Sequence, residues 1–355
     1  MANDTALPQA FEANTRKLFG EARYQRFLEA LRLPPQATIR LNPFKGPTAE
    51  EWCEKGFSPI PWCAEGRALP QRPDFTFDPL FHAGAYYVQE SSSMFVSHVV
   101  RHLVSTPVTA LDLCAAPGGK TTTLRASLSE GSVVVANEPM KVRASILSEN
   151  VQKQGHPDIM VTNNYPRDFR KAAITFDLIL ADVPCSGEGM FRKDPQAIRE
   201  WSPLNVDNCA QLQRSIIEDI WPTLRPGGYL IYSTCTFNED EDEKNVQWII
   251  NELGAQRVDI PIDPSWPITG ALGTGLPAVT NSGGKEERQS VFRFIPGFTP
   301  GEGLFMAVLQ KPEAGATGKP AKKRPTAPRI KPSAYQKTVV PWLEEDPAMG
   351  KGTWT

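Results

Sequence analysis

The sequence has no long hydrophobic run, although 40% of its 355 residues are hydrophobic. A transmembrane helix needs about 20 consecutive apolar residues, so no membrane-spanning helix is predicted. The first residues, MANDTALPQAFEANTRK, contain no apolar segment behind a basic start, which argues against a secretory signal. We therefore expect a cytoplasmic protein with no membrane partner.

Cysteine and histidine are sparse, with six cysteines and four histidines in the chain. The cysteines form no C-x-x-C pair, and a chain of this length needs no disulfide framework. Neither Cys185 nor Cys235 has a histidine or a second cysteine at the spacing of a zinc site. We expect reduced thiols and no metal.

An excess of charge is also missing, since 38 basic and 40 acidic side chains give a net charge of −2. Binding to nucleic acid must then depend on a local basic surface. Residues 311–337 contain eight Lys or Arg against one Glu and are rich in Pro, Ala and Gly. Two interpretations are open: a solvated linker or a segment that contacts a phosphate backbone.

From residue 108 onward, short apolar segments alternate with helical ones, which predicts a doubly wound, mostly parallel α/β sheet. The predicted strands are 108–114, 132–137, 158–163, 176–182, 228–234, 290–296 and 304–310, and the main predicted helices are 119–129, 139–154, 206–224 and 239–253. Only GFTPGEG separates the last two strands, so we expect them to form an antiparallel hairpin at one end.

The first 79 residues have a different pattern, which predicts a small α+β domain. LPQAFEANTRKLFGEARYQRFLEALR has helical spacing, and ATIRLNPFK is β-prone. AYYVQESSSMFVSHVVRHL predicts an amphipathic helix with serine near its start. We expect three parts: 1–79, a catalytic domain at 80–312, and a basic, Pro-rich tail at 313–355.

A glycine-rich turn follows the first predicted strand of the sheet, in LDLCAAPGGKTTTL (111–124). Its spacing matches neither a P-loop nor the dinucleotide-binding pattern. Glycines allow a ligand to approach helix N–H groups, so a nucleotide-like ligand is favoured over a plain turn. Glu138 ends the second strand, where a carboxylate can accept hydrogen bonds from a ribose. Helix capping is the other interpretation of Glu138.

Two later strands end beside chemically reactive residues. Asp182 and Cys185 lie in DLILADVPCSGEG (177–189), and Cys235 lies in GYLIYSTCTFNE (228–239). Carboxyl ends of neighbouring parallel strands share one edge of a sheet, where ligands bind. Either cysteine alone could be a buried packing residue. A Cys–His hydrolase is the weaker hypothesis, because every histidine is distant along the chain.

Taken together, LDLCAAPGGKT, NEP, ADVPCSGEGMFRKDP and LRPGGYLIYSTCTFNEDEDE resemble the Nol/Nop/Sun RNA cytosine-5 methyltransferases. EGMFRKDP is most similar to the bacterial ribosomal-RNA small-subunit methyltransferase F branch, and the resemblance covers roughly residues 25–312. It implies a Rossmann-like fold, S-adenosylmethionine as cofactor and RNA as partner, with 16S ribosomal RNA as the favoured target. It also implies that residues 1–79 bind RNA. We expect a monomer.

The resemblance also implies roles for individual residues. Cys235 would attack carbon 6 of cytosine, Asp182 would stabilise or protonate the N3 edge, and Cys185 would assist the release of Cys235. The implied cofactor contacts are Cys114, Ala115, Ala116, Pro117, Gly118, Gly119, Lys120, Glu138, Arg143, Asn164 and Asp182. Lys120 could also lower the pKa of a nearby thiol. Lys193 is expected either at the substrate or as a surface lysine.

Two features depart from the family pattern. Tyr165 stands where an aspartate near the adenine is expected, and Asn164 could supply a hydrogen bond instead. The chain ends at Thr355, where members of this branch often continue into an RNA-binding domain. A transfer-RNA methyltransferase and a non-catalytic ribosome-assembly factor are the alternative functions. A DNA cytosine methyltransferase is disfavoured, because it would leave Cys235 without a role.

Overall fold

A computed structural model of the chain describes residues 6–46, 56–273, 276 and 287–313. These residues belong to one folded unit, 1–313. The basic segment predicted as a tail lies outside the described residues from 314 onward.

The elements are numbered in chain order. The helices are α1 (Gln9–Phe19), α2 (Glu21–Leu31), α3 (Pro79–His82), α4 (Phe95–Leu103), α5 (Gly119–Ser127), α6 (Lys141–Gln154), α7 (Pro166–Lys171), α8 (Pro195–Glu200), α9 (Pro203–Ile220) and α10 (Glu243–Leu253). The strands are β1 (Thr38–Leu41), β2 (Ser58–Ile60), β3 (Cys63–Ala68), β4 (Tyr86–Val88), β5 (Thr109–Asp112), β6 (Val133–Asn137), β7 (Ile159–Thr162), β8 (Phe176–Asp182), β9 (Leu224–Thr234), β10 (Gln256–Arg257), β11 (Ile260–Ile262), β12 (Glu287–Gln289), β13 (Val291–Phe294) and β14 (Leu304–Gln310).

The central sheet has the strand order β10–β14–β9–β8–β5–β6–β7, and β13 also pairs with β14. Strands β5 to β9 run parallel, whereas β14 is antiparallel to both β9 and β13. The doubly wound fold and its terminal antiparallel hairpin are therefore confirmed. The two-residue strand β10 adds an eighth strand to the predicted seven.

Both faces of this sheet are covered, as the apolar character of its strands requires. One face packs against α4 and α5 through residues such as Phe95 and Leu124. The other packs against α9 and α10 through residues such as Ile217 and Ile249. No helix of the described residues is long and apolar enough to cross a membrane.

The N-terminal part contains a smaller antiparallel sheet in the order β2–β3–β1–β4. The prediction that AYYVQESSSMFVSHVVRHL is one helix is wrong for its first half, because Tyr86–Val88 forms β4 and the helix begins at Phe95. Val88 pairs with Ile39 of β1. Pairing with a strand distant in sequence therefore overrides the local helical pattern.

Helices α1 and α2 pack a group of aromatic side chains against the segments that follow β8 and β9. Gly20 separates them with a φ of 76°, a left-handed conformation that favours glycine. The Phe11 ring lies 5.0 Å from that of Phe191, and the Phe27 ring lies 4.9 Å from that of Phe237. Phe191 and Phe237 lie in the segments that follow β8 and β9 and carry Cys185 and Cys235. The N-terminal helices therefore pack against these two segments, called the cysteine loops below.

A buried ion pair joins β13 to the start of α10. Arg293 is 1% exposed, and its Nη1 lies 3.1 Å from Oδ2 of Asp242. Its Nε donates to Glu243 Oε1 at 2.8 Å. Burying three charges costs free energy unless they compensate one another, so each depends on its partners.

Replacing Arg293 by methionine leaves two buried carboxylates without their cation. We expect the free energy of unfolding to fall by about 3–5 kcal/mol, measured by urea denaturation. Arg225→Met is the matched control, since Arg225 and its partner Asp177 are 38% and 29% exposed. That variant should lose less than about 1 kcal/mol. Equal losses in the two variants would contradict the role of Arg293 as the cation that compensates the buried carboxylates.

Candidate active site

Two thiols meet at the carboxyl ends of β8 and β9. These strands are parallel neighbours, with Asp182 opposite Ser233. Cys185 and Cys235 each follow within a few residues, and their Sγ atoms lie 3.1 Å apart. The structure thus brings together two residues that are far apart in the sequence.

The carboxylate of Asp182 lies between β9 and the loop Cys114–Lys120, which is predicted to contact the cofactor and is called the cofactor loop below. Lys120 Nζ donates to its Oδ2 at 2.9 Å, and Ser233 Oγ donates to its Oδ1 at 2.8 Å. Burial lowers the pKa of Lys120, but the adjacent Asp182 outweighs this and raises it overall. Lys120 therefore remains charged and links the glycine-rich turn to the cysteine loops.

The pKa of the Cys185 thiol depends on its contact with Cys235. The hydrogen bond with Cys235, followed by burial, raises the pKa of Cys185 well above its ordinary value. Cys185 therefore stays a thiol at neutral pH and can donate its proton to the neighbouring sulfur. Burial also raises the pKa of Cys114, so Cys114 is a poor nucleophile.

Glu188 forms hydrogen bonds with the residues that follow Cys235 and so fixes the Cys235 loop. It is 1% exposed and accepts hydrogen bonds from the Trp201 indole at 3.0 Å and from the Phe237 amide at 2.6 Å. Asn238 donates to it from both its main chain and its side chain. Burial raises the pKa of Glu188 to about 7 even though these donors favour the charged form.

Glu241 connects the same loop to the loop that carries Cys185. Its Oε2 accepts from the Ser186 amide at 3.0 Å and from Gln213 Nε2 at 2.7 Å. Gly189 completes the connection by donating its amide to the Cys235 carbonyl at 2.7 Å. Neither Glu188 nor Glu241 was predicted as a site residue. The only signal was that each stands a few residues from a cysteine, in SGEGM and TFNEDE.

The cofactor loop, Cys114–Lys120, turns tightly into α5. Gly118 precedes the helix with a φ of 114°, so its conformation favours glycine. Arg143 Nη2 donates to the Ala116 carbonyl at 3.0 Å, and Asn150 Nδ2 donates to the Pro117 carbonyl at 2.7 Å. These contacts fix the position of the loop beside the first N–H groups of α5, which can donate to polar ligand atoms.

Glu138 lies at the end of β6, beside this loop, and is 1% exposed. Its Oε1 accepts from the Met140 amide at 3.0 Å. Its Oε2 is 3.5 Å from Arg143 Nη1 but has no hydrogen bond among the described residues. A buried acceptor without a donor at the end of the second parallel strand fits the ribose hydroxyls of the expected cofactor.

Asn164 and Tyr165 follow β7 on the adenine side of the predicted cofactor site. Asn137 fixes the Asn164 backbone, since its Oδ1 accepts from the Asn164 amide at 3.0 Å and its Nδ2 donates to the Asn164 carbonyl at 2.9 Å. The Tyr165 side chain is 57% exposed. A large aromatic surface is therefore available where the family pattern has an aspartate.

Lys193 is held by an acidic residue from the loop between β13 and β14. Its Nζ lies 3.8 Å from Glu302 Oε1, and the Lys193 side chain is 40% exposed. Arg192 contacts the same oxygen at 3.5 Å. Lys193 is thus neither a free surface lysine nor fully buried, and its contact with Glu302 sets where it can reach.

Asp112 ends β5 beneath the cofactor loop and is completely buried. Its Oδ2 accepts from Thr121 Oγ1 at 2.6 Å, while its Oδ1 has no hydrogen bond within the described part of the chain. Burial raises the pKa of this carboxyl from its ordinary 3.8 to about 7. Between these two pH values, Asp112 is mostly protonated in the folded protein and mostly ionised in the unfolded chain.

Between pH 3.8 and about 7, the folded state binds more protons at Asp112 than the unfolded state, so this residue makes stability decline as pH rises. Above that range its contribution is constant. Asp112→Asn keeps the side-chain shape without the titration, so the variant should lose this part of the decline. Urea denaturation of both proteins at several pH values measures the difference, and parallel pH profiles would contradict the assignment.

Comparison with known proteins identifies relatives over most of the chain. Residues 105–310 match the family model for 16S rRNA methyltransferase RsmB/F, and residues 7–91 match the N-terminal domain of 16S rRNA methyltransferase RsmF. Ribosomal RNA small subunit methyltransferase F of Enterobacter sp. (strain 638) is 32% identical over 87% of this chain and 64% of its own length. The proteins of the same name from Aliivibrio salmonicida and from Escherichia coli SMS-3-5 are 35% and 33% identical, over 72% and 88% of this chain.

The chain spans 64%, 56% and 65% of the length of these three relatives. Two solved structures share its fold. A methyltransferase homolog from Pyrococcus horikoshii has a TM-score of 0.68 and 27% identity, covering 86% of this chain and 96% of its own. NSun6 from the same organism, crystallised with SFG, has a TM-score of 0.71 and 21% identity, covering 87% and 100%.

The match to a methyltransferase family model confirms S-adenosylmethionine as the cofactor predicted from the sequence. The resemblance to the small-subunit methyltransferase F branch is likewise confirmed. Because the family model extends over residues 105–310, more than half of the protein, the chain belongs to the 16S rRNA methyltransferase RsmB/F family.

Proposed function

We propose that this protein transfers a methyl group from S-adenosylmethionine to carbon 5 of a cytosine in 16S ribosomal RNA. The observation that carries the proposal is the pair of sulfur atoms 3.1 Å apart beside the Asp182–Lys120 ion pair. In a covalent cytosine mechanism one thiol adds to carbon 6 and a carboxylate acts at the N3 edge, and a second thiol at the same rim can assist release. The choice of RNA is supported by the names of relatives that this chain matches over part of their length.

The bound cofactor supplies an activated methyl group. Its methionine part would lie against the Cys114–Lys120 loop, and Glu138 would accept hydrogen bonds from its ribose. Arg143 is tied to both of these elements. Asn164 would lie near the adenine. The unpartnered Oε2 of Glu138 is the feature of this chain that best fits such a ligand.

Carbon 5 of cytosine is a weak nucleophile, so the reaction needs prior addition at carbon 6. The Cys235 thiolate forms the bond to carbon 6, and the ring electrons move onto N3. Asp182 stabilises the charge that develops at N3 or delivers a proton to it. After carbon 5 is methylated, its proton passes to water, the electrons of that bond restore the double bond between carbons 5 and 6, and the bond from carbon 6 to sulfur breaks to expel Cys235 as a thiolate. Cys185, which is protonated and in contact with Cys235, assists that release.

The target nucleotide must be unpaired or flipped for Cys235 to reach its ring. Lys193 stands at a distance set by Glu302 and is 40% exposed, so its ammonium group can contact the base or an adjacent phosphate. The N-terminal helices and sheet would extend the RNA-binding surface.

Removing one thiol at a time tests the division of labour. We expect Cys185→Ala to accumulate a covalent protein–RNA adduct, because addition proceeds and release is slowed. Cys235→Ala should form none. Denaturing electrophoresis with radiolabelled RNA measures the adduct. Cys209→Ala, which removes a half-buried thiol that donates to Asn205 Oδ1, is the control and should release its RNA normally. Equal trapping by the two active-site variants would refute the assigned roles.

Bisulfite sequencing of ribosomal and transfer RNA, from cells with and without the gene, tests the substrate. We expect one 5-methylcytosine in small-subunit ribosomal RNA to disappear when the gene is absent. Loss confined to transfer RNA would keep the chemistry and change the target. Unchanged methylation in both pools would contradict the proposed activity and favour a binding protein.

A further inference from the structure

A separate cavity of about 330 Å³ lies between the N-terminal sheet and α6, behind the cofactor loop. Arg40 of β1, Tyr87 of β4 and Gln154 at the end of α6 are among the residues that line it. The catalytic cysteines do not line it. Its size is at the lower end for cavities that bind small ligands, about 300–1,000 Å³.

A buried cation lies in the wall of this cavity, and Glu65, which acts on it electrostatically, forms its ion pair with Arg101 instead. Arg40 is 2% exposed, and its guanidinium donates to Gln89 Oε1 at 2.8 Å and to Thr122 Oγ1 at 2.6 Å. Both acceptors are neutral, and Arg40 forms no ion pair with a carboxylate of the described residues. Burial lowers the pKa of Arg40. A buried charge is costly unless an opposite charge compensates it, so the cavity is suited to an anion.

Two further cations face the cavity, and both lie over aromatic rings. The Arg72 guanidinium lies 5.3 Å from the centre of the Phe75 ring, and Lys153 Nζ lies 5.4 Å from the centre of the Phe81 ring. Lys153 also pairs with Glu149, which is not among the lining residues. None of the described residues that line the cavity is an acid. The lining is therefore positive.

The aromatic side chains form a continuous wall. The rings of Phe75, Phe81 and Tyr86 have centres 6.0 to 6.3 Å apart. The ring planes are tilted by 42° to 58° to one another, and proteins use single aromatic rings beside Arg or Lys as sequence-tolerant surfaces for unpaired nucleotides. Gln154 adds a buried side-chain oxygen without a hydrogen-bond partner in the described structure, which is suited to a ligand N–H.

We propose that this cavity binds a single nucleotide unit, with its phosphate near Arg40 and Lys153 and its base against the aromatic wall. The unit is either one nucleotide of an RNA strand or a free mononucleotide, because both present the same phosphate and base. The opposite wall touches the cofactor loop: Asn150 Nδ2 and Tyr87 OH both reach the Pro117 carbonyl, at 2.7 and 3.4 Å. Binding in this cavity does not depend on the proposed methyl transfer.

The test is calorimetric titration of the full chain with each of the four nucleoside 5′-monophosphates in turn. Saturating S-adenosylhomocysteine is present throughout, so that the cofactor site is not available to the probe. We expect one saturable site. Arg72→Ala combined with Lys153→Ala should weaken binding by on the order of tenfold or more, since a charge-assisted hydrogen bond from Lys153 to the phosphate and the positive charge of Arg72 at the cavity are both lost.

Arg170→Ala combined with Lys171→Ala is the matched control, because it removes two exposed cations from α7, which contributes no residue to the cavity. The control should bind as the parent protein does. Phe81→Leu keeps an apolar side chain but removes a ring, so it should weaken binding of the monophosphates and leave that of inorganic phosphate unchanged.

A ten-nucleotide single-stranded RNA distinguishes the two sources of the ligand. Displacement of the bound monophosphate, with photochemical cross-links to Phe81 or Tyr86, identifies an RNA strand as the occupant. A monophosphate that stays bound identifies a free nucleotide. Absence of monophosphate binding together with absence of cross-links in the cavity would overturn the proposal, as would variants that bind like the parent. Methylation assays are not needed, so failure here is separable from failure of the proposed activity.

Discussion

The parallel pairing of β8 with β9 is the constraint on which the site depends. With Asp182 opposite Ser233, both strands end at one level, and the loops that follow must share the same space. Cys185 and Cys235 come into contact for this reason, although 50 residues separate them. A change of register by one residue would turn every side chain of a strand to the opposite face and would separate the thiols from Asp182.

Strand pairing alone does not hold a loop in place, and two buried carboxylates do the rest. Glu188 and Glu241 accept hydrogen bonds from main-chain amides of both cysteine loops. Burying these groups is unfavourable, as the raised pKa of each shows. The cost is offset because the buried amides of Ser186 and Phe237 would otherwise lack a partner. The result is a pair of loops whose geometry exists before any substrate binds.

The sequence predicted the parallel strands and the residues at their ends, because apolar strands bounded by turns carry a strong local pattern. Asp182, Cys185 and Cys235 could be placed on one rim by topology alone. The strand at Tyr86–Val88 could not, since its structure comes from pairing with β1. Glu188 and Glu241 were missed for a related reason: a charge in a polar segment is indistinguishable from a solvated one until the fold buries it.

Two buried carboxyl oxygens without hydrogen bonds among the described residues lie beside the glycine-rich turn. Glu138 Oε2 and Asp112 Oδ1 are buried without hydrogen bonds in the described structure, whereas native proteins satisfy nearly all such atoms. Both flank the glycine-rich turn. An unsatisfied acceptor destabilises the ligand-free protein, and a ligand that brings a donor removes that penalty on binding. In the proposed function, Glu138 Oε2 is the acceptor that a ribose hydroxyl would satisfy, so the group that makes this edge of the sheet less stable would also contribute to binding the cofactor.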